Sequence, residues 1–199
     1  MLKLIAATKN HGKLQELQQA APPEIKLIPL PKELSAPNES GTTYLANAML
    51  KARFYYQKLQ RPVLADDGGL ELAAFPDILG LKTQRFFTSS DPKQQNAQLL
   101  ALLAAQPEAS RAFTLQATLV YFDGQALLTS HAQLTGLVTD ARGTQGFGFD
   151  PILYVPNEQR TLAQLTATQR AKYSPRVQAF RELSQQLKKR QLIKEEDDG

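Results

Sequence analysis

Asp66 and Asp67 stand side by side between two short apolar runs, in Leu64-Ala65-Asp66-Asp67-Gly68-Gly69-Leu70-Glu71-Leu72. Two carboxylates about 4 Å apart repel by roughly 4 kcal/mol at an effective dielectric of about 20, so a cation or a proton must lie nearby. Successive side chains leave an extended strand on opposite faces, which gives the two acids different jobs unless the chain turns between them. Gly68 and Gly69 remove side-chain bulk and leave backbone that a large anion can approach. These residues fit a metal-assisted site for a phosphorylated ligand. They also fit a polar turn joining two strands.

A second candidate lies near the start of the chain. An apolar strand over residues 2–7 leads into Thr8-Lys9-Asn10-His11-Gly12-Lys13, and Leu14, Leu17, Ala20 and Ala21 then follow helical spacing up to Pro22 and Pro23. A helix start after a polar loop exposes free N–H groups, an arrangement suited to an anion. The spacing of a P-loop is absent. Lys9 and Lys13 fit phosphate binding and equally fit solvated lysines, while His11 reads as a loop surface residue.

The elements that must position these groups follow in order. Residues 25–30 form a second strand, and the loop 31–41 carries Glu33 and Glu39. Thr42 or Thr43 caps a helix that ends near Leu59 and buries Leu45, Ala48 or Met49, Ala52, and Tyr55 or Tyr56. Asn47 and Lys51, four residues apart, share a face beside that stripe. From there Lys51 either neutralises the paired acids or extends to solvent. Residues 73–90 are loop-rich, and Asp91-Pro92 opens a helix through Leu99, Leu100, Leu102 and Leu103. Alternation from Phe113 to Tyr121 marks a strand, and Asp123-Gly124 turns it into residues 126–138. In Gly143-Thr144-Gln145-Gly146-Phe147-Gly148-Phe149-Asp150, glycines alternating with aromatics suit a planar ring beside close backbone, or a core-packing turn. Residues 161–165 are a short turn. Ser174-Pro175 begins the last helix, with Val177, Phe180, Leu183 and Leu187 as its apolar stripe.

Composition narrows the class. The 199 residues are 42% hydrophobic, enough for a sizeable core, and contain no cysteine, which excludes disulfides, thiolate metal sites and a cysteine nucleophile. The apolar run at the start is too short for a signal segment, so the chain is read as cytoplasmic with no membrane partner. Net charge is +4, and residues 160–194 hold nine Lys or Arg against one acid, Glu182. That balance suits a polyanionic partner, a nucleotide or a nucleic acid, or a solvated helix face. The expected organisation is one domain over 1–192 in two lobes, then an acidic disordered tail over 193–199.

Four stretches, taken in order, resemble the inosine/xanthosine triphosphate pyrophosphatase family. They are Thr8-Lys9-Asn10-His11-Gly12-Lys13, Asn47-Ala48 with Lys51-Ala52, Asp66-Asp67-Gly68-Gly69-Leu70, and Gly146-Phe147-Gly148-Phe149-Asp150-Pro151. Their order and separations match the family from residue 2 to about 187. The resemblance implies a mixed α/β fold, elongated and two-lobed around a long central mixed sheet, with the nucleotide in the cleft between lobes. It implies a Mg²⁺-dependent homodimer that converts ITP, dITP or XTP to the monophosphate and pyrophosphate.

Residue by residue, the resemblance implies that Thr8, Lys9, Asn10, His11, Gly12 and Lys13 line the phosphates. Lys51 and Gly68 join them as substrate-binding residues. Glu39, Asp66 and Asp67 would serve the metal, with Asp67 as proton acceptor for the attacking water. Phe147, Gly148, Phe149 and Asp150 would recognise the base. Arg170, Pro175 and Arg176 occupy substrate-binding positions, Arg176 on the purine's 6-oxo side, where a group with only donors is required. An all-oxygen ligand set suits magnesium.

The chain departs from the family pattern in several places. Ala46 replaces an acid, Gly68 a serine, and Thr83-Gln84-Arg85 a Ser-Ala-Arg triplet. Arg170 stands for a lysine, keeping charge but not geometry, and Pro175 for a histidine that bonds the base. Two alternatives therefore accompany the hydrolase: a catalytically weak or specificity-altered nucleotide-binding relative, and a nucleic-acid binder using the basic C-terminal segment.

Overall fold

The computed structural model describes residues 1–193, with the side chains of Gln84 and Arg85 outside that description. Strands are β1 (Leu2–Ala6), β2 (Ile25–Pro29), β3 (Val63–Leu72), β4 (Ala112–Phe122), β5 (Leu127–Val138), β6 (Leu153–Val155) and β7 (Arg160–Thr161). Helices are α1 (His11–Ala20), α2 (Tyr44–Leu59), α3 (Thr83–Phe86), α4 (Pro92–Ala104), α5 (Ala167–Tyr173) and α6 (Pro175–Lys189). The strands form one seven-stranded sheet in the order β2-β1-β3-β4-β5-β6-β7. β1 pairs in parallel with both β2 and β3, whereas β5–β6 and β6–β7 are antiparallel, so the sheet is mixed as expected.

The chain divides into two units. The first comprises Met1–Asp67, Ala117–Ala132 and the segment from Pro175 onward. Its strands are covered on both faces, which is why β1 and the start of β3 read as continuous apolar runs. Leu4, Ala6, Leu64, Leu119 and Tyr121 pack on one face with Leu17 of α1 and with Ala179, Phe180, Leu183 and Leu187 of α6. Ile5, Val63, Ala65 and Val120 pack on the other with Ala48, Ala52 and Tyr55 of α2. The strict alternation Val63, Leu64, Ala65 between these two clusters sets the direction of the next two side chains.

The second unit comprises Gly68–Gln116 and Gln133–Ser174. Its core joins Leu70 and Leu72 of β3, Leu99 and Leu103 of α4, Phe113, Val138 and Val155. Asp91 caps α4 by accepting the Lys93 amide at 3.1 Å, with Pro92 in the first turn as its sequence indicates.

Three expectations need correction. Leu45 is 40% exposed instead of buried, because the inward face of the first turns of α2 carries Asn47 and Lys51, both of which find polar partners. The paired acids do not sit in a turn: β3 runs unbroken from Val63 to Leu72. The loop read at residues 8–13 is shorter, since α1 already begins at His11. Helix α5 and the short strands β6 and β7 had no separate signal. Of the tail placed at 193–199, Ile193 packs in the first unit's core, and residues 194–199 lie outside the described residues; of the altered triplet, the side chains of Gln84 and Arg85 lie outside the description.

Candidate active site

In the first unit, β3 delivers Asp66 toward α1 and α6 and Asp67 toward α2. Asp66 is 3% exposed, and its Oδ2 accepts from Lys13 Nζ at 2.9 Å and from Arg176 Nε at 3.0 Å. Arg176 also donates through Nη1 to Glu16. Lys13 and Glu16 lie three residues apart, on one face of α1. Arg176 follows Pro175, the buried first residue of α6, so proline keeps the helix start while offering no donor.

Asp67 takes a different cation. Lys51 Nζ lies 3.2 Å from Asp67 Oδ1 and 3.3 Å from Glu39 Oε1, so two carboxylates converge on one ammonium. Thr43 holds the start of α2 by accepting the Ala46 amide at 3.0 Å. Asn47 Oδ1 accepts the Gly41 amide at 2.8 Å, which ties down the loop that carries Glu39.

The charges shift one another. Burial alone would raise the Asp66 carboxyl, but Lys13, Arg176 and Lys51 outweigh it and hold the group well below the usual carboxylate range. Burial, with Arg176 and Lys51 nearby, lowers Lys13 despite its bond to Asp66. Lys51 is also penalised by burial, yet Asp66, Asp67 and Glu39 raise it above its ordinary value. Asp66 is thus a fixed negative charge, and Lys51 a fixed positive one.

The phosphate loop is built on α1. Thr8 Oγ1 accepts the Asn10 amide at 3.1 Å, and Asn10 Oδ1 caps the helix by accepting the Lys13 amide at 3.1 Å. Lys9 and His11 are exposed. The helix N–H groups make the start of α1 favourable to anions, beside Lys13 and Arg176, which are paired with Asp66 and Glu16.

For a hard divalent cation, the donor chemistry fits. Glu39 and Asp67 are both oxygen donors and already converge on a positive centre, and magnesium takes one or two carboxylates with water and phosphate completing its shell. Among the described residues no group of three or more His, Asp or Glu is arranged for a metal, so a cation here needs such outside ligands. Asp66 is engaged by Lys13 and Arg176 through Oδ2.

The second unit gathers the other predicted residues. Asp150 Oδ2 accepts the Phe147 amide at 3.1 Å and lies 3.6 Å from Arg170 Nε. Gly146 has φ +81°, and a Cβ there would collide with the Asp150 carboxylate. Phe149 lies against Phe87, ring centroids 5.5 Å apart. Arg170 Nη1 is buried without a hydrogen-bond partner. Asn96 of α4 donates to the Gly148 carbonyl at 3.1 Å. Gly68 lies in β3.

Two polar residues of these clusters carry no mark in the sequence reading, Glu16 and Asn96, and the bond of Asn47 to Gly41 adds a role beyond its shared face with Lys51. The spacing from Lys13 pointed to Glu16. Asn96 bonds across 52 positions of sequence, which no local pattern reveals.

Comparison with known proteins shows what this chain is similar to. The model of the Ham1 family matches residues 4–186. A dITP/XTP pyrophosphatase of Coxiella burnetii is 34% identical over 201 residues, with 97% of this chain and 100% of that protein covered. A dITP/XTP pyrophosphatase of Thermus thermophilus is 34% identical over 192 residues, covering 94% of this chain and 92% of its own. A solved HAM1 protein from Coxiella burnetii superposes with a TM-score of 0.83 at 32% identity, covering 95% of this chain and 100% of that one. The Staphylococcus aureus Ham1 protein gives 0.80 at 26% identity, covering 94% and 99%. Sequence and fold converge: this chain belongs to the Ham1 family.

Proposed function

We propose that this protein is a Mg²⁺-dependent pyrophosphatase of deaminated purine nucleoside triphosphates (dITP, ITP or XTP). The observation that carries the proposal is the division of the paired acids, Asp66 against Lys13 and Arg176, Asp67 against Lys51 beside Glu39. The names of the relatives, dITP/XTP pyrophosphatases, supply the substrate class.

Lys13 and the α1 N-terminus hold the triphosphate, with Thr8 and Asn10 shaping that turn. Asp67 accepts the proton of the attacking water. The water oxygen bonds to the α-phosphorus, the bond from that phosphorus to the bridging oxygen breaks, and pyrophosphate leaves. Glu39 and Asp67 would hold the magnesium ion, with Asp66 supporting them; the ion supplies Lewis acidity toward phosphate oxygens. Phe147, Gly148, Phe149, Asp150 and Arg170 serve the base, and Arg176 its 6-oxo side. A homodimer, a cytoplasmic setting and a single functional domain over 1–192 complete the proposal. No described helix is long and apolar enough to cross a membrane.

A panel of ITP, XTP, dITP, ATP and GTP, with and without Mg²⁺, tests it. Pyrophosphate release from the first three only with the metal supports it, and silence on all of them overturns it. A weak, mainly binding relative is the second reading. It is favoured by Pro175, which brings no imidazole, and by the commitment of Arg176 to Asp66 and Glu16. Tight nucleotide binding without turnover would establish it.

A further inference from the structure

Asn96 is a buried polar residue in α4, 6% exposed, whose Nδ2 donates to the Gly148 carbonyl at 3.1 Å. Only the NH₂ end of the amide can donate to a carbonyl, so this contact fixes which way the side chain faces. Asn96 Oδ1 is then left buried without a partner among the described residues. A half-satisfied buried amide weakens a core relative to an apolar side chain of similar shape. What the asparagine adds must therefore be sought at Gly148.

Gly148 has φ +61°, yet a Cβ placed on it would meet nothing within 4 Å, so glycine answers a backbone requirement there and not a lack of space. The Asp150 amide donates to the Phe147 carbonyl at 3.2 Å, closing a turn with Gly148 and Phe149 at its centre. Turns of this kind differ chiefly in the orientation of the central peptide, and glycine permits either orientation. That peptide is trans, so the Phe149 N–H points opposite to the Gly148 carbonyl. Among the described residues the Phe149 N–H has no hydrogen-bond partner.

We propose that Asn96 is a positioning residue for base selection: by holding the Gly148 carbonyl it keeps the Phe149 N–H turned toward a bound purine. A 6-oxo group needs a donor and a 6-amino group an acceptor. With the carbonyl held by α4, the turn presents the donor. With the peptide turned over, it would present the acceptor. This inference rests on the pyrophosphatase function proposed above.

Steady-state pyrophosphate release from ITP and from ATP, with Mg²⁺, measures it in the full chain and in the folded variants Asn96→Asp and Asn96→Leu. Asn96→Asp keeps the shape but sets an acceptor against the carbonyl, so it separates lost bonding from a lost fit. The ratio of kcat/KM for ITP over ATP should fall about tenfold in both, through KM for ITP, the size of one hydrogen bond to a bound polar group. In hydrogen exchange the amides of Phe147 and Asp150, which close the turn, should lose protection while those of residues 99–103 keep theirs. An unchanged ratio in active variants overturns the role of Asn96 alone. No release by the unsubstituted chain overturns the pyrophosphatase assignment and base selection with it.

Discussion

Asp66 and Asp67 are adjacent in sequence, yet Asp66 is bonded to Lys13 of α1 and Asp67 to Lys51 of α2. The strand keeps them apart: the alternation that sends Leu64 to the α1–α6 side and Ala65 to the α2 side simply continues. Each acid therefore makes its ion-pair contacts on its own side of the strand, Asp66 with Lys13 and Arg176, Asp67 with Lys51. Asp66 is nearly sealed and permanently charged, whereas Asp67 adjoins Glu39, whose side chain is 39% exposed. The most exposed carboxylate of these ion pairs, Glu39, lies on the Asp67 side.

Replacing Asp67 by asparagine separates its chemistry from its bulk. Loss of a general base costs about 10²–10⁴ in rate. Turnover of ITP should fall by that factor while the thermal midpoint stays within a few degrees of the unsubstituted protein. An unchanged kcat would remove Asp67 from the catalytic role.

Asp66→Ala should act on stability instead. It leaves Lys13 and Arg176 facing one another without their shared acceptor, and breaking a buried ion pair costs about 3–5 kcal/mol. Urea unfolding should show a loss of that order, and Asp66→Ala with Lys13→Met together should lose less than Asp66→Ala alone. A loss in the double variant equal to the sum of the losses in Asp66→Ala and Lys13→Met would mean that the pair does not couple.

The division between the acids was legible in the sequence, because strand alternation holds wherever the strand does. Lys51 as counter-charge to the pair, Thr43 or Thr42 as cap and the apolar stripe of α6 were legible for the same reason: each depends on spacing along one element. What sequence concealed depends on distant partners. Leu45 has the periodicity of a core residue, and only the Asn47–Gly41 and Lys51–Asp67 bonds explain why the inward face is polar there. Asn96 lies inside a leucine-rich helix and looks like a surface amide until its contact with Gly148 is seen. Helix α5 has few apolar residues to mark it and is secured by the reciprocal Thr166 and Gln169 capping bonds.

Gly68 stands where the family resemblance implies a serine, and Gly68→Ser distinguishes a missing hydroxyl from needed space. One recovered hydrogen bond to phosphate would lower KM for ITP by roughly threefold to tenfold. A higher KM in the folded variant would instead show that the bare backbone is what the phosphate requires.

The β4–β5 hairpin gives a pH dependence independent of the active site. Asp123 Oδ1 accepts the Gln125 and Ala126 amides at 2.9 and 2.7 Å, and Oδ2 accepts the Tyr121 hydroxyl at 2.8 Å. Burial works to raise this carboxyl, but the two amides and the hydroxyl outweigh it and leave it below its ordinary value. A carboxylate depressed in the folded state adds stability above the unfolded value, about pH 4, and that stability is lost as pH falls through the lower folded value. Asp123→Asn keeps an acceptor but no charge. The gap in thermal midpoint between the unsubstituted chain and Asp123→Asn should be widest near pH 7 and should close progressively below about pH 4. A gap that is constant from pH 7 down to pH 3 would mean that the turn gains nothing from the charge.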